Sequence, residues 1–206
     1  MVVSREKIFE EGEWQGLNPD FFNLLRAVKN YYTFQTRWGK KSVETDPEWQ
    51  QIIPSAVFVS QGKIFSYERP QTCTDKRLSG ERLLSIGGHI RKSDTKKAKS
   101  LLAWFRREWE EEVELGTAPF IAPLGVIHDT TVKVSSVHLG FVFLVHLPQP
   151  HIKVRATEEI AKGQWTTIPE LYAIDRNLRA SGQKGIDNWG WLILKYLEEK
   201  PLLLDF

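Results

Sequence analysis

Between Arg107 and Val113 the chain reads Arg-Glu-Trp-Glu-Glu-Glu-Val, and a stretch so crowded with carboxylates tolerates few local structures. In a helix each residue turns by about 100°. With Phe105, Trp109 and Val113 as a buried stripe, Glu108, Glu111 and Glu112 fall on the neighbouring flank within roughly 100° of one another. Glu112 lies nearest the stripe, and Glu110 falls on the opposite, solvated flank. Like charges at i, i+3 and i+4 cost a helix a few tenths of a kcal/mol per pair. A divalent cation removes that repulsion, and hard oxygen atoms are the ligands magnesium prefers. Taken alone, the same residues also make an ordinary acidic surface helix balanced by Arg106, Arg107 and nearby lysines.

The context narrows the choice. Ser85-Ile86-Gly87-Gly88-His89-Ile90 reads as a strand, beginning at Leu83, that runs into a tight glycine turn. Glycine there lets backbone approach a metal or phosphate closely. The helix is expected from about Lys97 to Glu114, with Gly116 as its C-terminal cap.

The remaining elements follow from periodicity. Asn18-Pro19-Asp20 starts a helix with Phe21, Phe22, Leu24, Leu25 and Val28 at helical spacing. Ala56 to Ser60 and Lys63 to Tyr67 are strands joined by a two-residue Gln61-Gly62 hairpin. Strands are expected over Ile121 to His128, Ser136 to Leu147 and Gly163 to Thr167. A short helix starts at Ile168. A last helix opens at Asn188-Trp189 with Trp189, Leu192, Ile193, Tyr196 and Leu197 on one apolar face. Without βαβ alternation the fold class is α+β, a helix–sheet–helix sandwich. The pattern divides into an extension over residues 1–45 packed on a core domain over 46–206.

These motifs resemble the Nudix hydrolase superfamily, whose box is G-x5-E-x7-R-E-U-x-E-E-x-G-U. Gly88 matches the opening glycine, Arg107 to Glu112 match the R-E-U-x-E-E core, and Leu115 fills the last U. Asp46-Pro47, Gln51-Ile52-Ile53-Pro54, the Gly-Gly-His-Ile run and Val137-His138-Leu139-Gly140 look like a little-characterised group of predicted phosphoesterases within it. The spacer departs from the pattern. Asp94 stands where the first box glutamate falls, and the pattern would place the arginine at 102 rather than 107. The residue at the ordinary spacing before Arg107 is Lys99. Glu114 replaces the last box glycine, which extends the expected helix to Gly116.

The resemblance implies an α/β/α sandwich with a mixed central sheet and a magnesium- or manganese-dependent pyrophosphohydrolase acting on a diphosphate or nucleotide. It implies Glu108 and Glu112 as main metal ligands, Glu111 as ligand or base, and Arg107 as the residue that orients them. Gly87, Gly88 and His89 would form the substrate loop. Glu158 and Glu159 are candidates for a general base outside the box; a solvated loop pair is the plainer reading of both. Two alternatives stand beside the hydrolase: a Nudix-fold nucleotide sensor, and an isopentenyl-diphosphate-isomerase-like enzyme, which needs a reactive cysteine. Cys73, in a polar loop, does not suit that role. Asp129 reads equally as turn chemistry, and Trp165 and Trp189 as core packing.

Composition adds exclusions. A formal charge of +2 is too small to argue for nucleic acid or an anionic membrane. With one cysteine, neither a disulfide framework nor a zinc cluster is possible within one chain. No apolar run approaches the ~20 residues that span a bilayer, and the N-terminus lacks a signal-peptide core. A cytoplasmic protein is expected, and homodimerisation is compatible with the sequence.

Overall fold

The computed structural model describes residues 1–39, 42–97 and 100–204, so Lys99 lies outside the described residues. In chain order the elements are β1 (Val2–Ser4), α1 (Arg5–Ile8), β2 (Gly16–Asn18), α2 (Phe21–Tyr31), β3 (Trp49–Ser60), β4 (Lys63–Glu68), β5 (Arg82–Leu83) and β6 (Ile86–Gly87). There follow α3 (Lys92–Lys97), α4 (Leu101–Glu112), β7 (Val113–Leu115), β8 (Phe120–His128), β9 (His138–His146), β10 (Ile152–Val154), β11 (Ala161–Thr166), α5 (Ile168–Ala180) and α6 (Asn188–Glu199). The class is α+β, as the sequence pattern predicts, and the sheet is mixed, as the resemblance implies.

The chain forms two compact units, and β3, α4, β8 and β9 each run through both. The first comprises Met1–Ser55, Gly87–Glu108 and Pro123–Phe143. Its strand order is β3-β9-β8-β2, with β1 antiparallel on β3 through Val2↔Gln51 and β2 antiparallel on β8 through Leu17↔Ile127. Alternate residues of a strand face the same way, and Phe141 and Phe143 use that period to meet α2. Phe21 packs edge-on against both, at 5.3 and 5.0 Å between ring centroids. Phe105 of α4 stacks on Phe143 at 5.6 Å. Every residue of β9 is buried, including His138 and His146.

The second unit comprises Ala56–Ile86, Trp109–Ala122 and Leu144–Phe206. Here β4 lies between β3 and β11 and also carries β5, while β7 and β10 form a separate antiparallel pair. The β3–β4 connection is the expected two-residue hairpin, with Ser60 opposite Lys63. Gln61 and Gly62 both have positive φ, 51° and 72°, the geometry a primed turn demands.

Several boundaries differ from the sequence reading, each for a physical reason. β3 starts at Trp49 rather than Ala56, and all of Gln50 to Ser60 is buried. Two glutamines and Pro54 disguise that half as a loop. The strand expected from Leu83 to Gly87 is two short pieces, β5 and β6, broken at Leu84-Ser85. The helix expected from Lys97 to Glu114 is α4 alone, and it stops at Glu112. Val113–Leu115 leaves the helix to pair with Ile152–Val154, so Gly116 follows a strand and caps no helix. Glu112 needs no glycine cap, because its carbonyl accepts the Arg155 and Ala156 N–H groups at 2.8 and 3.2 Å. In α6 the buried face is Gly190, Ile193, Leu194 and Leu197. Trp189, Leu192 and Tyr196 are only half-buried, so the face is turned by about one residue from the expected one. Sequence periodicity alone did not disclose β1, β2, β7 or β10, which are three residues each.

Candidate active site

Leu101, Trp104, Phe105 and Trp109 are all buried, and their spacing winds α4 against the interior. On a wheel of about 100° per residue, Glu108 and Glu112 fall angularly between Trp104 and Phe105, inside the buried face itself. The sequence pattern alone puts all three box glutamates on a flank beside the apolar stripe. Only Glu111 lies at that edge, exposed, while Glu108 and Glu112 are half-buried. Glu110 is exposed, as expected.

Gly88 explains how a carboxylate sits there. A Cβ on Gly88 would stand 2.1 Å from Glu108 Oε2 and 2.5 Å from its Cδ. The Glu108 carboxylate therefore lies directly on the bare Cα of the turn, a position no other residue permits. Gly87 is equally constrained, since a Cβ there would meet Ser55 Oγ at 2.3 Å and the Pro54 carbonyl at 2.7 Å. The Gly88 N–H donates to that same Pro54 carbonyl at 3.3 Å. The polar half of β3 thus forms the bed on which the Gly-Gly turn rests.

Arg107 holds this arrangement from the side. Its Nε and Nη2 donate to the two oxygens of Asp94, each at 3.0 Å. Nη2 also reaches the His89 carbonyl at 3.2 Å and makes a short contact with Glu108 Oε1. Burial opposes ionisation of Asp94, but the Arg107 hydrogen bonds, the Arg91 N–H and both guanidinium charges outweigh it and hold its pKa below the ordinary value. Asp94, which stands at the position of the first box glutamate, is thereby the partner of Arg107. The ion pair of Arg107 is anchored by an aspartate thirteen residues upstream.

In the second unit, Glu112 lies in the electrostatic neighbourhood of Arg69, Tyr67 and Glu159. Arg69 is buried, and its Nη1 donates to the Glu159 carboxylate at 2.6 Å and to the Glu159 carbonyl at 3.1 Å. Thr74 donates to the same carboxylate through its N–H at 2.9 Å and its hydroxyl at 2.5 Å. Burial would lower the Arg69 pKa, but Tyr67, Glu112 and Glu159 raise it above its ordinary value. Glu158 is exposed, and its carbonyl accepts from Thr72 at 3.4 Å. Sequence reasoning missed Arg69 and Tyr67. An arginine between a strand and Pro70 reads as a solvated loop cation, and only burial distinguishes it.

The remaining candidates have plain roles. Asp129 accepts from Gln15, from the Thr131 N–H and from the Thr131 hydroxyl, between 2.6 and 2.9 Å. Trp165 packs on Phe65 at 5.6 Å. Cys73 is buried with its thiol on the Asp75 carbonyl at 3.2 Å.

Glu108 is seated in a cradle that a Cβ on Gly88 would fill, and carboxylate oxygen is the kind of ligand hard divalent cations take. No protein-family model matches this chain, and no curated protein matches it. Among solved structures, Tm1382, provisionally assigned to the Nudix hydrolases, superposes with a TM-score of 0.73 at 24% identity, covering 97% of each chain. The fold is the Nudix fold. DR0079 from Deinococcus radiodurans superposes with a TM-score of 0.58 at 16% identity, covering 95% of this chain and 98% of its own. The Nudix domain of NrtR from Shewanella oneidensis, complexed with ADP ribose, gives 0.56 at 12% identity, over 74% of this chain and 88% of that domain. Among the described residues no helix is long and apolar enough to cross a membrane.

Proposed function

We propose that this protein is a Nudix-type pyrophosphohydrolase that cleaves the phosphoanhydride of a nucleoside-diphosphate-type substrate. The observation that carries the reading is the seating of Glu108 on Gly88, clasped by the Asp94-anchored guanidinium of Arg107. A carboxylate brought into a buried helix face costs desolvation energy, and a fold maintains such a group where it has work to do. Glu108, Glu111 and Glu112 would hold magnesium or manganese, which when bound neutralises diphosphate charge and lowers the pKa of a coordinated water.

The chain's own residues have distinct tasks in this reading. Arg107 fixes the rotamer of Glu108, so the carboxylate needs no reorganisation when it is used. The bare Gly87-Gly88 turn would let a phosphate approach backbone. Glu158, exposed, is the better candidate for accepting a proton from water, because Arg69 and Thr74 already occupy the Glu159 carboxylate. Residues 46–206 would form the catalytic domain, with residues 1–45 as an extension that also supplies β1 and β2 to the sheet. The ADP ribose held by the NrtR domain supports a nucleotide-type ligand.

One observation favours a second reading, a nucleotide-binding module with little turnover. Asp94, at the position of the first box glutamate, is engaged with Arg107. The test is product release from a panel of nucleoside diphosphate derivatives with magnesium, manganese or chelator. The hydrolase reading expects turnover that chelator abolishes and that Glu112→Gln lowers at least about 100-fold, since a metal's charge stabilisation is worth several kcal/mol. Tight nucleotide binding without turnover would establish the binding module instead.

A further inference from the structure

Apart from the glutamate helix, one cluster of the first unit has the chemistry of a metal centre. Glu44, His89 and His138 each present a ligand atom, and these atoms all lie within 4.8 Å of one another. They come from three distant parts of the chain: the segment before β3, the residue after the Gly-Gly turn, and the first residue of β9. No local spacing signature connects them, which is why sequence reading found only His89.

Glu44 and His138 are buried. The Glu44 side chain is only 5% exposed, and its Oε1 accepts from Arg37 Nε at 2.5 Å. The His138 Nδ1 lies 2.5 Å from the Val134 carbonyl. A carbonyl can only accept, so Nδ1 carries a proton and Nε2 is the nitrogen a metal would take. A backbone carbonyl behind one ring nitrogen is the usual support for a ligating imidazole, because it sets both tautomer and ring orientation. The His89 and His138 rings stand edge to face, 5.5 Å between centroids and 77° between planes. That arrangement is edge to face, so the two rings do not stack on each other.

We propose that Glu44, His89 and His138 bind a borderline divalent metal of the zinc class at a site separate from the box glutamates. Two nitrogens and one carboxylate oxygen suit zinc, cobalt or ferrous iron, and are a poor set for magnesium, which takes oxygen ligands. Three protein ligands leave a fourth position open in a tetrahedral site. With bonds of about 2.1 Å, tetrahedral ligands stand roughly 3.4 Å apart, so small side-chain adjustments close the cluster. The single cysteine argues against zinc held by sulfur and has no bearing on this donor set.

The site would also serve the catalytic turn. The His89 side chain would bind the metal, while its carbonyl accepts from Arg107 at 3.2 Å. The residue after Gly88 would then be held from both ends, next to the cradle of Glu108.

The test is cobalt(II) titration of the full chain in excess magnesium, read by visible absorption, with zinc competition and metal analysis. The expected result is one equivalent bound with the intense bands of a four-coordinate, imidazole-ligated ion, displaced by zinc. Those bands should disappear in His138→Ala and in Glu44→Gln and persist in Glu112→Gln, which separates this site from the box helix. Zinc should raise the melting midpoint of the wild type and leave that of His138→Ala unmoved. Only the weak bands of an all-oxygen six-coordinate ion in the wild type would overturn the proposal without any variant. Intense bands that survive in a folded His89→Ala/His138→Ala variant would overturn it too.

Discussion

At the scale of single residues, the glycines explain more than the acids. A carboxylate on a helix can be solvated anywhere, but Glu108 is seated because Gly88 has no side chain. Gly88→Ala places a methyl group inside the space of that carboxylate. The expected cost is about 1–3 kcal/mol of stability together with at least a tenfold loss of turnover, read by chemical denaturation and steady-state kinetics. Wild-type turnover in that variant would show that the cradle has no catalytic consequence. The box glutamates, Arg107 and the two glycines were all legible in the sequence, because their order and spacing carry them. Asp94 was legible as a position and not as a role. The clasp on Arg107 depends on where the α3 segment returns, which no residue pattern encodes. Arg69 was illegible for a related reason, since burial by distant segments separates it from an ordinary loop arginine.

At the scale of elements, polarity misled where tertiary pairing decides structure. Gln50 and Gln51 are buried in β3 and Val113–Leu115 is strand, although local propensity favours a loop and a continued helix. Strong local signals survived intact: the Gln61-Gly62 turn and the Asp20 start of α2 lie where the residues predict. The cap of α6 also has a measurable consequence. Asp187 accepts from the Gly190 N–H at 3.0 Å. Burial of its carboxyl, aided by the charge of Glu81 and opposed by backbone N–H groups, pushes its pKa up to about 7. The folded state therefore binds a proton that the unfolded state releases near its ordinary value of 3.8. This group favours folding fully at acid pH, and the contribution is lost as pH rises through about 7. Asp187→Asn keeps an oxygen for the cap and removes the titration. Its melting midpoint should fall less between pH 5 and pH 8 than that of the wild type, and an identical fall in both would refute the assignment.

At the scale of the whole molecule, the fold class followed from the mixture of strand-like and helix-like periods without βαβ alternation. The sheet order did not, because strands of three residues such as β1 and β2 carry too little pattern to be seen. The described structure also sets where global stability should concentrate. All nine residues of β9 are buried, and Phe141 and Phe143 carry aromatic contacts from α2, with Phe105 of α4 also on Phe143. Amides that open only on complete unfolding lie in such segments. Hydrogen exchange should accordingly be slowest in β9, and slower there than in β10, where Lys153 is exposed and its two neighbours are half-buried. Equal protection in the two strands would contradict that distribution.

The end of α4 bears on how this protein can change over evolutionary time. The Glu112 carbonyl is tied to the N–H groups of Arg155 and Ala156, so the segment leading to Glu158 and Glu159 is fastened to the last turn of the glutamate helix. Lengthening or shortening that segment would tug on the helix that carries the acids. Lineages descended from this chain should accordingly keep its length constant there, and explore new substrates by exchanging side chains in place or by growing loops elsewhere.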